Sequence, residues 1–163
     1  IQHGGFHENE RRPGTENVPA IAGMAAAAEV ALSEFSGTEK QARISGLRDR
    51  LWEGIREIDP TSVRNAALAP VLANTLNVSF TGCDGETLLM GLDLEGIEAS
   101  SGSACMVGSI QASHVLLAMG VSEDFARATV RFSLGGETTP EAIDRTLEAL
   151  SRVLKRQSRF QKV

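Results

Sequence analysis

Ile21-Ala22-Gly23-Met24-Ala25-Ala26-Ala27-Ala28 is a run with no polar side chain. Pro19 stands just ahead of it, in the first turn of a helix, where its missing N–H costs nothing. A helix that is apolar on nearly every side is normally buried or packed between larger bodies. The alanines let such neighbours approach closely. The chain begins Ile1-Gln2-His3-Gly4-Gly5, with neither an initiator Met nor a targeting signal, and reads as mid-protein sequence. These features predict a piece of a larger protein, with a hydrophobic patch on the Pro19–Leu32 helix if the piece stands alone.

The chain has 163 residues, enough for one domain with a real core. At 42% hydrophobic and 23% charged it has the composition of a soluble globular protein. Sixteen basic and 21 acidic side chains give a formal net charge of −5, which offers no support for nucleic-acid binding. No apolar run reaches the roughly 18 residues that span a bilayer, so no membrane partner is expected. Cys83 and Cys105 form no CxxC pair, and two thiols make a poor disulfide framework or zinc site. No metal is expected, and a reducing, cytoplasmic setting fits best.

Residues 1–16 have no apolar period and read as a loop. Ser36-Gly37 breaks the apolar helix. A second helix places Ile44, Leu47, Leu51, Ile55 and Ile58 on one face and stops at Asp59-Pro60. Leu76, Val78 and Phe80 alternate along a half-buried strand over Asn74 to Phe80. A turn at Gly82 to Gly85 leads to a helix over Glu86 to Leu94. Ile97-Glu98-Ala99 reads as a short strand. Ser113 to Met119 forms a helix closed by Gly120, and Thr129 to Ser133 is a strand. Thr138 or Thr139 caps the last helix, with Pro140 in its first turn and Glu141 completing a box with Thr138. Ile143, Leu147, Leu150 and Leu154 line one of its faces. The pattern predicts an α/β sandwich with helices on one face of a small sheet.

Cys105 lies in Ser100-Ser101-Gly102-Ser103-Ala104-Cys105, a run of small residues with no bulk to bury. Such a run reads as an exposed loop from which a thiol can react; a lone cysteine in other surroundings is a small buried hydrophobe. Arg131, among Val130, Phe132 and Leu134, is costly to bury unless paired, and its planar fork suits a carboxylate. A structural salt bridge would serve the same arginine. Arg12-Pro13-Gly14-Thr15 puts a cation and a hydroxyl just ahead of a helix, where a phosphate can sit or where Thr15 simply caps. His3, His7 and His114 show no metal-ligand spacing. Cys83, at a turn without an activating neighbour, reads as structural.

SSGSAC, Ser113-His114-Val115-Leu116 and VRFSLG occur in the order found in the C-terminal part of NifS-like cysteine desulfurases, and RRPGTENVPAIAG and NTLNVSF match as well. The chain resembles that family, of the class-V aminotransferases, over essentially its whole length. The resemblance implies an α/β fold, the small C-terminal domain of an aspartate-aminotransferase-type enzyme, over residues 36–163. Residues 1–35 would be the end of the large cofactor domain. It implies a pyridoxal-phosphate enzyme that removes sulfur from L-cysteine, leaves L-alanine and passes a persulfide to an acceptor protein. Cys105 then matches the nucleophile, on the long-loop version of the catalytic segment. Arg131 matches the grip on the substrate carboxylate. Thr15 matches the threonine that reaches the cofactor phosphate of the partner subunit in a homodimer. The family often reads GGGQE-x-G-x-R where this chain has Phe6 and Glu10 in place of two glycines. Lys40, Lys155 and Lys162 are the only lysines, and none lies beside a His in a Ser-rich loop, as the family's Schiff-base lysine does. The covalent lysine is therefore expected to lie outside this chain, which alone is expected to be inactive and colourless. A selenocysteine lyase-like enzyme and a cofactor-free sulfur carrier or interaction module are the alternatives. An absorption near about 400–420 nm separates the cofactor enzymes from the carrier.

Overall fold

In a computed structural model the described residues are 3–35, 38–101 and 112–160. The chain divides into two compact units, Ile1–Thr38 and Glu39–Val163. The expected break at Ser36-Gly37 and the segment carrying Cys105 lie outside the described residues.

The first unit is a loop followed by helix α1 (Val18–Phe35). The oxygen of Asn17 accepts from the Ala20 N–H at 3.1 Å, so Asn17 and not Thr15 caps this helix. Val18, Ile21, Met24, Val30 and Leu32 are all exposed, so α1 carries apolar side chains on several sides. In the preceding loop Glu8, Asn9 and Glu10 have φ of 53°, 54° and 66°. Glu10 therefore holds the left-handed conformation at the position where the family pattern has glycine. For a non-glycine residue that costs about 1–2 kcal/mol.

The second unit opens with α2 (Thr38–Ile58) and β1 (Val63–Arg64), followed by β2 (Thr75–Ser79) and α3 (Gly85–Leu94). Two short helices, α4 (His114–Ala118) and α5 (Glu123–Arg127), precede β3 (Thr129–Ser133) and α6 (Pro140–Phe160). The sheet has the order β1-β2-β3 and both pairings are antiparallel, with Leu76 opposite Phe132 and Val78 opposite Val130. Those four side chains share one face. They form a single buried cluster with Leu51 and Ile55 of α2, Leu88 and Leu92 of α3, and Ile143, Leu150 and Val153 of α6. The apolar stripes read in the sequence thus meet on one side of the sheet. β1 and α5 had no readable signal.

Two local expectations change. Ile97–Ala99 is not a strand: Gly96 takes φ 76° and the Ile97 N–H returns to the Leu92 carbonyl at 2.9 Å, which winds off the end of α3. Only Ser100 bridges to β3. At the start of α6, Thr139 caps by accepting from Ala142 N–H at 3.3 Å, while Thr138 accepts from Gly135 N–H at 2.9 Å. There is no box between Thr138 and Glu141. Gly120, as expected, closes α4 with φ 83°.

Asp84 caps α3, accepting from the Thr87 N–H at 2.8 Å and its hydroxyl at 2.7 Å. Beyond the cap, Gly85 lies against the end of α5. A Cβ there would sit 2.3 Å from the Arg127 carbonyl oxygen, a backbone atom that cannot swing aside. Gly85→Ala is expected to lower stability by about 1–3 kcal/mol in chemical denaturation, the usual cost of overpacking.

Glu95, just past α3, ties this corner to α6. Arg152 donates to one carboxylate oxygen at 2.9 Å, and Arg156 lies 2.8 Å from the other. The Arg152 hydrogen bond, aided by the charges of Arg152 and Arg156, holds the Glu95 carboxyl below its ordinary value. A carboxylate lowered on folding adds stability above its unfolded value and loses it as pH falls through the folded one. The acid limb of stability, below about pH 4.3, is expected to be shallower in Glu95→Gln, measured by thermal unfolding across pH.

Candidate functional site

Strand alternation sets the site. Val130 and Phe132 turn into the core, so Arg131 between them must face the other side of the sheet. β2 repeats the pattern with Leu76 and Val78 inward, which leaves Thr75, Asn77 and Ser79 on the polar face. Asn77 is the direct cross-strand neighbour of Arg131. Over these residues lies a cavity of about 340 Å³. Thr75, Asn77 and Arg131 are joined in its lining by Ala66, Val71 and Leu72 of the β1–β2 connection and by Val115, Leu116 and Met119 at α4.

Ser101 and Ser113 also line this cavity. In the sequence they stand on either side of residues 102–111. Ser100 is paired with the arginine's own backbone: Ser100 N–H donates to the Arg131 carbonyl at 3.1 Å, and Arg131 N–H to the Ser100 carbonyl at 2.6 Å. Ser113 is buried and precedes α4. Cys105 itself lies outside the described residues. A guanidinium is charged at any ordinary pH. Set in the floor of an apolar-walled cavity, it attracts a small anion, and its fork matches a carboxylate.

Cys83 is a different kind of thiol. It is half-buried against the core beside Asp59 and Asp84. Burial, then the charges of Asp59 and Asp84, push its thiol above the ordinary value. A raised thiol holds little thiolate at neutral pH and is a poor nucleophile. That agrees with its reading as structural.

Thr15 is exposed in the loop before α1, where Arg12 donates to the Gly14 carbonyl at 2.9 Å. Asn17, and not Thr15, supplies the cap of α1. Lys40 packs along Gly136, and Lys155 lines a separate cleft with Asp59 and Cys83. Neither of these described lysines lines the Arg131 cavity; Lys162 lies outside the described residues. Among the described residues no cluster of His, Cys, Asp or Glu could hold a metal, and no helix is long and apolar enough to cross a membrane.

A sheet with helices on its apolar face and an arginine cavity on its polar face is the small domain of a pyridoxal-phosphate-type α/β enzyme, and comparison with known proteins agrees. Residues 2–146 match the aminotransferase class-V family, and the chain belongs to it. It is 43% identical over 156 residues to the cysteine desulfurase IscS of Methanosarcina thermophila, across 96% of this chain and 38% of that protein. It is also 43% identical over 160 residues to an IscS-like cysteine desulfurase of Mycobacterium tuberculosis, across 98% of this chain and 40% of the relative. The solved structure of a NifS-like protein from Rickettsia africae superposes with a TM-score of 0.81 at 30% identity, covering 95% of this chain and 39% of that one. The chain therefore spans about two fifths of the length of the relatives it matches.

Sequence reasoning singled out Arg131 and missed the lining around it. Asn77 was legible as an outward position of an alternating strand, and nothing in the sequence pairs it with Arg131. At neutral pH, Cys83 is expected to react with iodoacetamide much more slowly than a small free thiol and to speed up as pH rises into the alkaline range. Mass spectrometry of timed alkylation checks this.

Proposed function

We propose that this chain forms the sulfur-handling part of a cysteine desulfurase, which takes sulfur from L-cysteine through a persulfide on Cys105 and releases L-alanine. The observation that carries this reading is the cavity with Arg131 in its floor and Ser101 and Ser113 in its walls. Cys105 follows Ser101 by four positions in the sequence, which supports a nucleophile and a carboxylate grip acting at one site.

Arg131 holds the substrate carboxylate and so fixes which way the substrate sulfur points. The Cys105 thiolate attacks that sulfur. A bond forms between the two sulfur atoms as the substrate C–S bond breaks. The carbon keeps the electron pair and, once protonated, leaves as L-alanine. Pyridoxal phosphate, when bound, supplies the electron sink that makes the carbon a competent leaving group. The apolar walls of Leu72, Leu116 and Met119 thin out water around the charged pair and strengthen its attraction. Thr15 is proposed to reach the cofactor phosphate of the partner subunit in a homodimer. Such an enzyme passes the persulfide sulfur to an acceptor protein and works in the cytoplasm.

In the pyridoxal-phosphate-loaded holoenzyme, Cys105→Ser is expected to abolish both persulfide on the protein and L-alanine release. Arg131→Ala is expected to raise KM for L-cysteine by about 10- to 100-fold, the scale of losing a charged contact in a cavity. Intact-mass measurement and alanine assays read the two effects. Persulfide formed on Cys83 in Cys105→Ser, or an unchanged KM in Arg131→Ala, would overturn the assignment.

A further inference from the structure

A chain of hydrogen bonds runs under the polar face of the sheet, and its polarity has a single solution. It starts at the Phe125 carbonyl of α5, which can only accept. The Thr129 hydroxyl lies 2.8 Å from it and must donate its one proton there. The Thr129 oxygen can then only accept from the Ser79 hydroxyl at 2.9 Å. Ser79 and Thr129 are 0% and 1% exposed, so no water substitutes for either partner. With its proton spent, the Ser79 oxygen accepts from the side-chain nitrogen of Asn65 at 2.9 Å. The second proton on that nitrogen points to the side-chain oxygen of Asn77 at 2.7 Å. The Asn77 amide cannot flip without setting two donors against each other. A backbone bond from Asn65 N–H to the Asn77 carbonyl at 2.9 Å keeps the two asparagines level.

The Asn77 NH₂ group is thereby turned away from Asn65. Asn77 lines the Arg131 cavity, and its NH₂ donates to no acceptor among the described residues. Asn77 is half-buried, so this amide donor is open to whatever occupies the cavity. Cross-strand neighbours stand about 4.5–5.5 Å apart at Cβ, so Asn77 and Arg131 enter the lining of the cavity side by side.

We infer that Asn77 is a second substrate-binding residue, held as a donor by the Asn65–Ser79–Thr129 chain so that it takes one oxygen of the carboxylate that Arg131 grips. The inference rests on the desulfurase reading above and adds a residue to its substrate site. A neutral donor beside a cation suits a carboxylate twice over: it adds a hydrogen bond and fixes the rotation of the carboxylate about the guanidinium. An acceptor in the same place would repel the ligand.

The test uses steady-state kinetics of the holoenzyme with L-cysteine. Asn77→Asp keeps the oxygen to which Asn65 donates and replaces only the amide nitrogen, so the buried chain survives. It is expected to raise KM at least tenfold with kcat within about twofold. Asn77→Ala is expected to raise KM about tenfold, the scale of one hydrogen bond to a charged group. Arg131→Ala, run alongside, separates the two claims. If it raises KM and both folded Asn77 variants leave KM within twofold of the parent, Asn77 does not bind the substrate and the desulfurase reading stands. If all three leave KM unchanged, the carboxylate is held elsewhere and both claims fall. A fall in kcat with KM unchanged would also overturn the inference, because it would make Asn77 a residue of the chemical step.

Discussion

The pleat of β3 decides what the rest of the second unit can do. Val130 and Phe132 are almost completely buried against α2, α3 and α6, and that burial leaves Arg131 only one direction to face. The same rule on β2 sends Leu76 and Val78 inward and Asn77 outward, opposite Arg131. The polar face is not simply the solvent side of a two-layer sandwich. At one end α5 covers Ser79 and Thr129 completely; at the other, α4 and the β1–β2 connection stand off and leave a cavity. Core and site are therefore the two sides of one three-stranded sheet. A register slip by one residue would put the arginine into the core and the valines into the cavity.

That sheet is held from behind by tight contacts. Gly91 of α3 lies so close to α6 that an added Cβ would come within 2.5 Å of Val153, and Gly85 meets the backbone end of α5. Glu95 then crosslinks the far end of α3 to Arg152 and Arg156. Helix α5 is short, but its Phe125 carbonyl is the acceptor that sets the direction of the hydrogen-bond chain ending at Asn77. Rigid packing on the apolar side and a one-directional polar chain on the other let a small domain present a guanidinium and an amide in fixed relation.

The elements with strong periodicity were readable. The stripes of α2 and α6, the alternation of β2 and the five residues of β3 fall where hydrophobic spacing puts them, because burial of those faces is what the spacing encodes. β1 is two residues long and α5 five, too short to show a period. Ile97–Ala99 looked like a strand because Ile and Ala sit on either side of Glu, yet Gly96 closes α3 through Ile97 and only Ser100 reaches β3. The cap of α6 fell on Thr139, since Thr138 was taken by the turn at Gly135. At the candidate site the arginine was legible as an expensive charge among apolar neighbours. The pairing of Asn65 with Asn77 was not, because they are twelve positions apart and meet only when β1 pairs with β2.

The two cysteines show why position, and not residue type, selects a nucleophile. Cys83 sits where the chain is least able to support a thiolate: burial removes water, and Asp59 and Asp84 add negative charge. A persulfide there would also have to form beside the core, away from the Arg131 cavity. Cys105 is joined through the chain to Ser101 and Ser113, both at that cavity, and no carboxylate lies between those two serines in the sequence. On the proposed reading the fold keeps its two thiols chemically distinct: one is held protonated as packing, while the other is tethered beside a permanent cation. Anionic sulfur is favoured near a guanidinium and disfavoured near two carboxylates, and on the proposed reading this sign difference favours sulfur transfer to Cys105 over Cys83.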